Sequence, residues 1–289
     1  MHPLIAYSRV GDAKKVKRLI DRGESTNVYS DMGKSPLHEC IRCGHLEVVK
    51  VLIANGANVN IRTKYGGYSP LHFASEQKSL EIAKLLIYEG KADLNQAADN
   101  GHTCLHYATR KTHLSYLHLL LENGVDVNIP NLKGNTPLHD LCSKSTGLEV
   151  IRVLLAANAD VNMLNEKGET PLDIAQKSDQ NSIYEALIPH HNQEIVDTMH
   201  EIRNSCKIGD IQKINDFLEI ADGNMNDDAK ASQPNSLTMR SRMCRDNCLL
   251  HYATNFNHLS IVKLLISIGY NVNTANFSRI TPTTHCCET

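Results

Sequence analysis

At 289 residues, 41% of them hydrophobic and 21% charged, the chain has enough apolar surface to fold and more length than one ordinary core needs, so it is two domains or an elongated array. With no Trp and only four Phe, its core must be built from Leu, Ile, Val and Ala, which suits thin layers of helix. A formal charge of −2 excludes whole-molecule attraction to nucleic acid or an anionic membrane, and nine cysteines without a dense framework of spacings fit the reduced thiols of a cytoplasmic protein.

Residues 1–29 contain a helix-pair pattern around Gly11-Asp12 that is more charged than the later units, as expected of a capping unit whose outer face meets water. The opening apolar stretch is too short for a signal-peptide core, and no window approaches 18 uninterrupted apolar residues, so no membrane segment is expected.

From residue 30 the chain repeats itself. SPLH begins at Ser35 and again at Ser69, TCLH at Thr103, TPLH at Thr136 and TPLD at Thr170, with successive starts 34, 34, 33 and 34 residues apart. A second motif keeps phase with the first: Asn58-Val59-Asn60, Asp93-Leu94-Asn95, Asp126-Val127-Asn128 and Asp160-Val161-Asn162. Ser or Thr followed by Pro predicts a helix start, because the hydroxyl caps an orphan N–H and proline has none to waste. After Cys43-Gly44-His45 a second helix is expected, with Leu46, Val49, Leu52 and Ile53 on one face and Gly56 as its stop. The N-V-N segment predicts Asn outward and Val inward, leading to an extended hairpin tip at the glycine of DMG, YGG, DNG, LKG or EKG. Extra residues at Thr63 to Gly66, at Lys91 and at 143–147 are expected to lengthen loops.

Past Pro189 the pattern lapses. Residues 193–221 predict a degenerate helix pair that echoes residues 10–20 around Gly209-Asp210. Residues 222–247, rich in Asn, Asp and Ser, are expected to form a flexible insertion. One clear unit returns at 248–273, and 274–289 reads as a further repeat that begins and stops.

The period, the TPLH helix start, G-H-L-E-V-V-K opening the second helix and N-G-A-N-V-N closing the unit together resemble ankyrin repeats over most of the chain. The resemblance implies an all-α-like solenoid, with 30–192 as the main array. It also implies that His38, His72, His106, His139 and His251 are staples, their imidazoles bonded to main chain in their own and the adjacent repeat. Asp173, in the histidine's place, suits a repeat lacking a neighbour.

That role weighs against chemistry at these residues. His139, Asp140 and Cys142 lie within four positions but offer no histidine free to serve a nucleophile. In Cys40-x2-Cys43 beside His38 and His45, Cys40 stands at the small buried position held by Ala74 and Ala108, His38 is a staple and no second CxxC exists, while Cys244-x3-Cys248-x2-His251 lacks an assigned fourth ligand, so no metal is expected. No cofactor loop is visible, and enzymatic activity is not expected.

Ankyrin proteins bind other proteins on the face made by tips and first helices. By position this face takes Lys34, Tyr68, His102, Asn135 and Glu169 at the tips. The first helices contribute Arg42, Glu76, Gln77, Arg110, Lys111, Ser143, Lys144 and Lys177. Six of these charges are positive and two negative, and Tyr65 and Tyr68 are candidate aromatic anchors, so the expected partner is a protein with an acidic segment. Aromatic interleaving is too sparse to favour nucleic acid. The resemblance further implies asparaginyl hydroxylation at Asn128 and Asn162. A monomeric scaffold or adaptor is expected, in the cytoplasm with the nucleus left open. The alternative is the targeting arm of a larger enzyme or secreted effector, acting in a host cytosol, whose catalytic part lies beyond residue 289.

Overall fold

The structure, a computed structural model, describes residues 2–77, 79–110, 113–144, 147–223 and 247–270, without the side chains of 219–223, 247 and 248. Lys111, most of the expected insertion and the last expected repeat lie outside the described residues. The chain divides into two compact units, Met1–Asp126 and Val127–Thr289.

The first unit contains four helix pairs: α1 (Pro3–Val10) with α2 (Ala13–Asp21), α3 (Pro36–Arg42) with α4 (Leu46–Ala54), α5 (Pro70–Gln77) with α6 (Leu80–Lys84), and α7 (Cys104–Arg110) with α8 (Leu114–Glu122). First helices pack in the order α1, α3, α5, α7, and second helices follow them in a parallel layer. The core between the layers is aliphatic, as the lack of Trp requires. Leu37, Cys40 and Ile41 of α3 and Val48, Val49 and Leu52 of α4 are each fully buried or within 1% of it, and each such Leu or Val contributes about 1.5–3 kcal/mol. Val48 takes a place expected of Leu46 and Ile53, which are only half-buried. The extra residue of the third repeat also departs from expectation. Besides the left-handed Lys91 (φ 58°), the chain forms a π turn over Leu85–Glu89, which keeps Leu86 and Ile87 facing inward.

The hairpin tips are tight turns rather than ladders, and the only bridge among the described residues pairs Ala97 with Thr103. Each turn closes on itself, as Ser30 N–H does on the Lys34 carbonyl at 2.8 Å, and then bonds to its neighbour. Lys64 N–H donates to the Gly33 carbonyl and Asp99 N–H to that of Gly66, both at 2.9 Å. Gly33 has φ 69°, and a Cβ there would lie 2.7 Å from that of Lys64, so the turn needs glycine for conformation and for approach. The N-V-N expectation holds for the buried Val59 and Val127 and the exposed Asn58 and Asn95, but the closing asparagine's amide is engaged by the next loop. Asn60 Oδ1 accepts from Asp93 N–H (2.8 Å) and Asn95 Oδ1 from Asp126 N–H (2.9 Å), which ties each loop to the next.

The second unit contains α9 (Pro137–Cys142) with α10 (Leu148–Ala156), α11 (Pro171–Lys177) with α12 (Asn181–Leu187), α13 (Gln193–Ile208) with α14 (Ile211–Gly223), and, after the undescribed stretch, α15 (Asn247–Asn255) with α16 (Leu259–Ser267). The asparagine ladder continues: Asn128 Oδ1 accepts from Asp160 N–H and Asn162 Oδ1 from Asn192 N–H, both at 2.7 Å. Directly after Asn192, α13 starts where the other repeats make a hairpin tip. Aligned on Gly209, Arg203 then occupies the staple histidine's position. It is 4% exposed and donates to the carbonyls of Leu164 (3.0 Å) and Asn165 (2.7 Å) in the preceding tip. This also corrects the reading of Asp173. What is missing beyond it is the neighbour's tip, not the neighbour, so a carboxylate that serves only its own repeat, accepting from Thr170 N–H (2.8 Å) and from the Thr170 hydroxyl (2.7 Å), suffices.

The echo between the two ends is geometric. Gly11 and Gly209 end α1 and α13 with φ of 87° and 85°, and Asp12 and Asp210 each cap the following helix at 3.0 Å. His45 and His258 place Nε2 3.0 Å from the carbonyls of Arg9 and Lys207.

Candidate interaction surface

The motif histidines sit in closed hydrogen-bond frames. Ser35 N–H donates to His38 Nδ1 (3.2 Å), Ser69 N–H to His72 Nδ1, Thr103 N–H to His106 Nδ1 and Thr136 N–H to His139 Nδ1, the last three at 3.1 Å. Because Nδ1 accepts, Nε2 carries the proton. It donates from His38 to the Tyr68 carbonyl and from His72 to that of His102, both at 2.9 Å, and from His139 to those of Met163 and Glu169 at 3.1 and 3.2 Å. Burial pushes His38, His72 and His139 down to about 4, so they are neutral at pH 7. His251 is 6% exposed.

Cys40 gives its proton to the Leu37 carbonyl at 3.2 Å, and burial holds its thiol far above the reactive range. Burial pushes Cys142 up to about 12. No three His, Cys, Asp or Glu side chains converge to hold a metal among the described residues. Asn128 and Asn162 are 6% and 0% exposed, with their amide oxygens engaged in the ladder.

In the first unit, the tips and first helices enclose a groove of about 700 Å³. Seven candidate residues line it: Lys34, Arg42, Tyr65, Tyr68, Glu76, Gln77 and Arg110. His102 lies behind it, its ring centroid 4.9 Å from that of His106 and 5.8 Å from that of Tyr107. Besides the staple His72, five lining residues were not among the candidates: Met32, Thr63, Phe73, Asn100 and Tyr107. Phe73 and Tyr107 each directly follow a staple histidine, in PLHF and CLHY. Both face the groove, and aromatic character at this position in two consecutive units was the available signal.

The groove wall is a set of edge-on aromatic contacts. Tyr68 packs against Phe73 (6.4 Å, 79°) and Tyr107 (6.1 Å, 78°), and His38 against Phe73 (5.1 Å, 63°). Burial raises the Tyr107 phenol to about 12, and the same hydroxyl accepts from Asn100 Nδ2 at 3.4 Å. At the lip, Met32 and Tyr65 are 72% and 70% exposed.

The charges differ from a simple count along the sequence. Arg42 is held by Glu39, Nη2 to Oε2 at 2.7 Å, and Lys34 lies over the Phe73 ring at 5.6 Å. Glu76 and Arg110 are exposed and form no ion pair among the described residues. In the second unit Lys177 is paired with Glu169 at 2.7 Å, which holds the Glu169 carboxyl below its ordinary value. Asn135 and Glu169 line a smaller hollow of about 390 Å³ together with Lys133, Asn165, Glu166, Lys167 and Ile174, while Ser143 is exposed and Lys144 half-buried.

Family models for ankyrin repeats match residues 62–131 (three copies), 120–175 (many copies), and 32–64 and 245–277 (single repeats). Among curated proteins, the chain is 37% identical over 65 residues to a probable E3 ubiquitin-protein ligase, XBOS33, of Oryza sativa subsp. japonica, covering 22% of this chain and 12% of that protein. It is 33% identical over 64 residues to the 2-5A-dependent ribonuclease of Mus musculus, 22% and 9% of the two chains. Over 64 residues it is 39% identical to Zygote-specific protein 3 of Chlamydomonas reinhardtii, 22% and 17%. The match therefore spans well under a third of these relatives. Among solved structures, an ankyrin repeat domain from Acinetobacter baumannii AYE aligns with a TM-score of 0.59 at 26% identity, covering 65% of this chain and 97% of that one. A second solved ankyrin repeat protein gives 0.60 at the same identity and coverage.

Proposed function

As the chain belongs to the ankyrin repeat family, we propose that it is a non-enzymatic scaffold or adaptor that binds its partner in the groove of the first unit. Ankyrin repeats are protein–protein interaction modules, and the location within this chain is our own reading. One observation carries it. Met32 and Tyr65, two of the most exposed large apolar side chains among the described residues, stand on adjacent tips above an aromatic wall, as the buried centre of an interface requires. In the second unit the tips bear Lys133, Glu166 and Lys167 instead, and beyond Glu169 the helix α13 takes the place of a tip. An acidic partner segment fits Arg110 and the neighbouring Lys111.

The test is a matched set of affinity captures with the full chain, Tyr65→Glu, and Glu47→Lys on the second-helix face. A partner bound by the full chain should be lost with Tyr65→Glu and kept with Glu47→Lys. A partner lost only with Glu47→Lys places binding on the opposite face.

A second reading draws on the ligase and the ribonuclease among the relatives, of which the match spans 12% and 9%. In it, the array is the recognition arm of a longer enzyme. Immunoblotting the native protein at a mass well above that of 289 residues supports this reading, and a band at that mass removes it.

A further inference from the structure

Resting on the groove as the binding site, we infer that the partner segment is not simply acidic. It carries a carboxylate and a cation about three residues apart, with an apolar anchor seated beside Tyr65. Arg42, Glu76 and Arg110 each lie four residues after a staple histidine, on α3, α5 and α7, so they form a row along the groove with charges plus, minus, plus. The first member is already satisfied, since Glu39 on the same helix holds Arg42 through Nη2 at 2.7 Å and Nε at 3.2 Å. The other two are open.

Adjacent packed helices lie about 8–10 Å apart, and an extended chain advances about 3.3 Å per residue. A strand-like segment crossing from α5 to α7 therefore travels about three residues between Glu76 and Arg110. Over that stretch, a segment with two acids meets repulsion at Glu76, and one with two bases meets it at Arg110. A mixed pair is attracted at both. Phe73 and Tyr107 lie one turn before these charges, and Met32 and Tyr65 stand above them, so the intervening side chain faces apolar surface. A cation on Phe73 itself is disfavoured because Lys34 already lies over that ring.

The experiment uses a phage-displayed random peptide library panned on the full chain, then on the charge-exchanged variant Glu76→Arg/Arg110→Glu and on Tyr65→Glu. All three substituted positions are exposed, so an unchanged thermal melt is expected and serves as the fold control. Peptides enriched on the full chain should carry an apolar residue and opposite charges about three positions apart. By fluorescence anisotropy such a peptide should lose about tenfold in affinity for the exchanged variant and recover it when its own two charges are exchanged. Enriched peptides that bind the full chain and the exchanged variant equally, yet are lost with Tyr65→Glu, overturn the charge-pair inference and leave the groove reading standing. Peptides unaffected by Tyr65→Glu overturn the groove reading itself. Failure to enrich any peptide above an uncoated surface overturns the inference as well.

Discussion

A staple histidine contributes through the groups it leaves stranded when removed. In His139→Ala the Thr136 N–H and the Met163 carbonyl lose their partner inside a dry site, the Glu169 carbonyl keeps only Asn165 N–H, and a cavity opens. We expect a loss of about 3 kcal/mol, read as a lower urea midpoint. A loss below about 1 kcal/mol would show that water or a rearranged loop replaces the ring. Arg110→Glu is the contrasting case. The side chain is exposed, so stability should shift by under about 0.5 kcal/mol, while affinity for the captured partner falls and its salt dependence changes. The histidines were legible in the sequence because their spacing repeats. Phe73 and Tyr107 were harder to read, because their position carries Glu39, Asp140 and Ile174 in other repeats, so the aromatic signal of PLHF and CLHY does not run through the array. The neutralisation of Arg42 was hidden too, since Glu39 three residues earlier reads as an ordinary surface acid until coordinates place it under the guanidinium.

At the scale of the element, the informative case is α13. Composition and the Gly209-Asp210 joint marked a helix pair, but nothing in the pattern announced that residues 193–200 would replace a hairpin tip. That exchange depends on Asn192 closing the ladder and on Arg203 reaching the carbonyls exposed by the missing tip. Arg203→Met keeps the length and apolar stem but removes both donors. It should therefore cost about 2–3 kcal/mol and raise amide exchange in α13 and in 164–168, whereas unchanged exchange there would make Arg203 incidental. The π turn at Leu85–Glu89 was hidden for a similar reason. The sequence shows one residue too many, and only packing decides that the helix absorbs it. Leu105→Asp puts an unpaired charge at a site with no exposure and should unfold the last helix pair of the first unit, seen as lost cooperativity in thermal unfolding.

For the whole molecule the staples set an acid limit. His38, His72 and His139 titrate near 4 when folded, against an ordinary value of 6.5. Between those values the unfolded chain binds more protons, so stability is full above pH 6.5 and falls as the pH drops toward 4. With three sites the limiting slope is about 4 kcal/mol per pH unit. A urea midpoint that is constant from about pH 7.5 to about pH 5 would contradict this. The claim that matters most for function is that recognition belongs to the aromatic groove of the first unit. It is tested most directly by placing the photocrosslinking residue p-benzoylphenylalanine at Tyr65, or separately at Glu47, in the full chain and illuminating cells that express it. We expect one specific adduct from position 65, abolished by Arg110→Glu, and none from position 47. An adduct formed at position 47 but not at 65 would contradict the account.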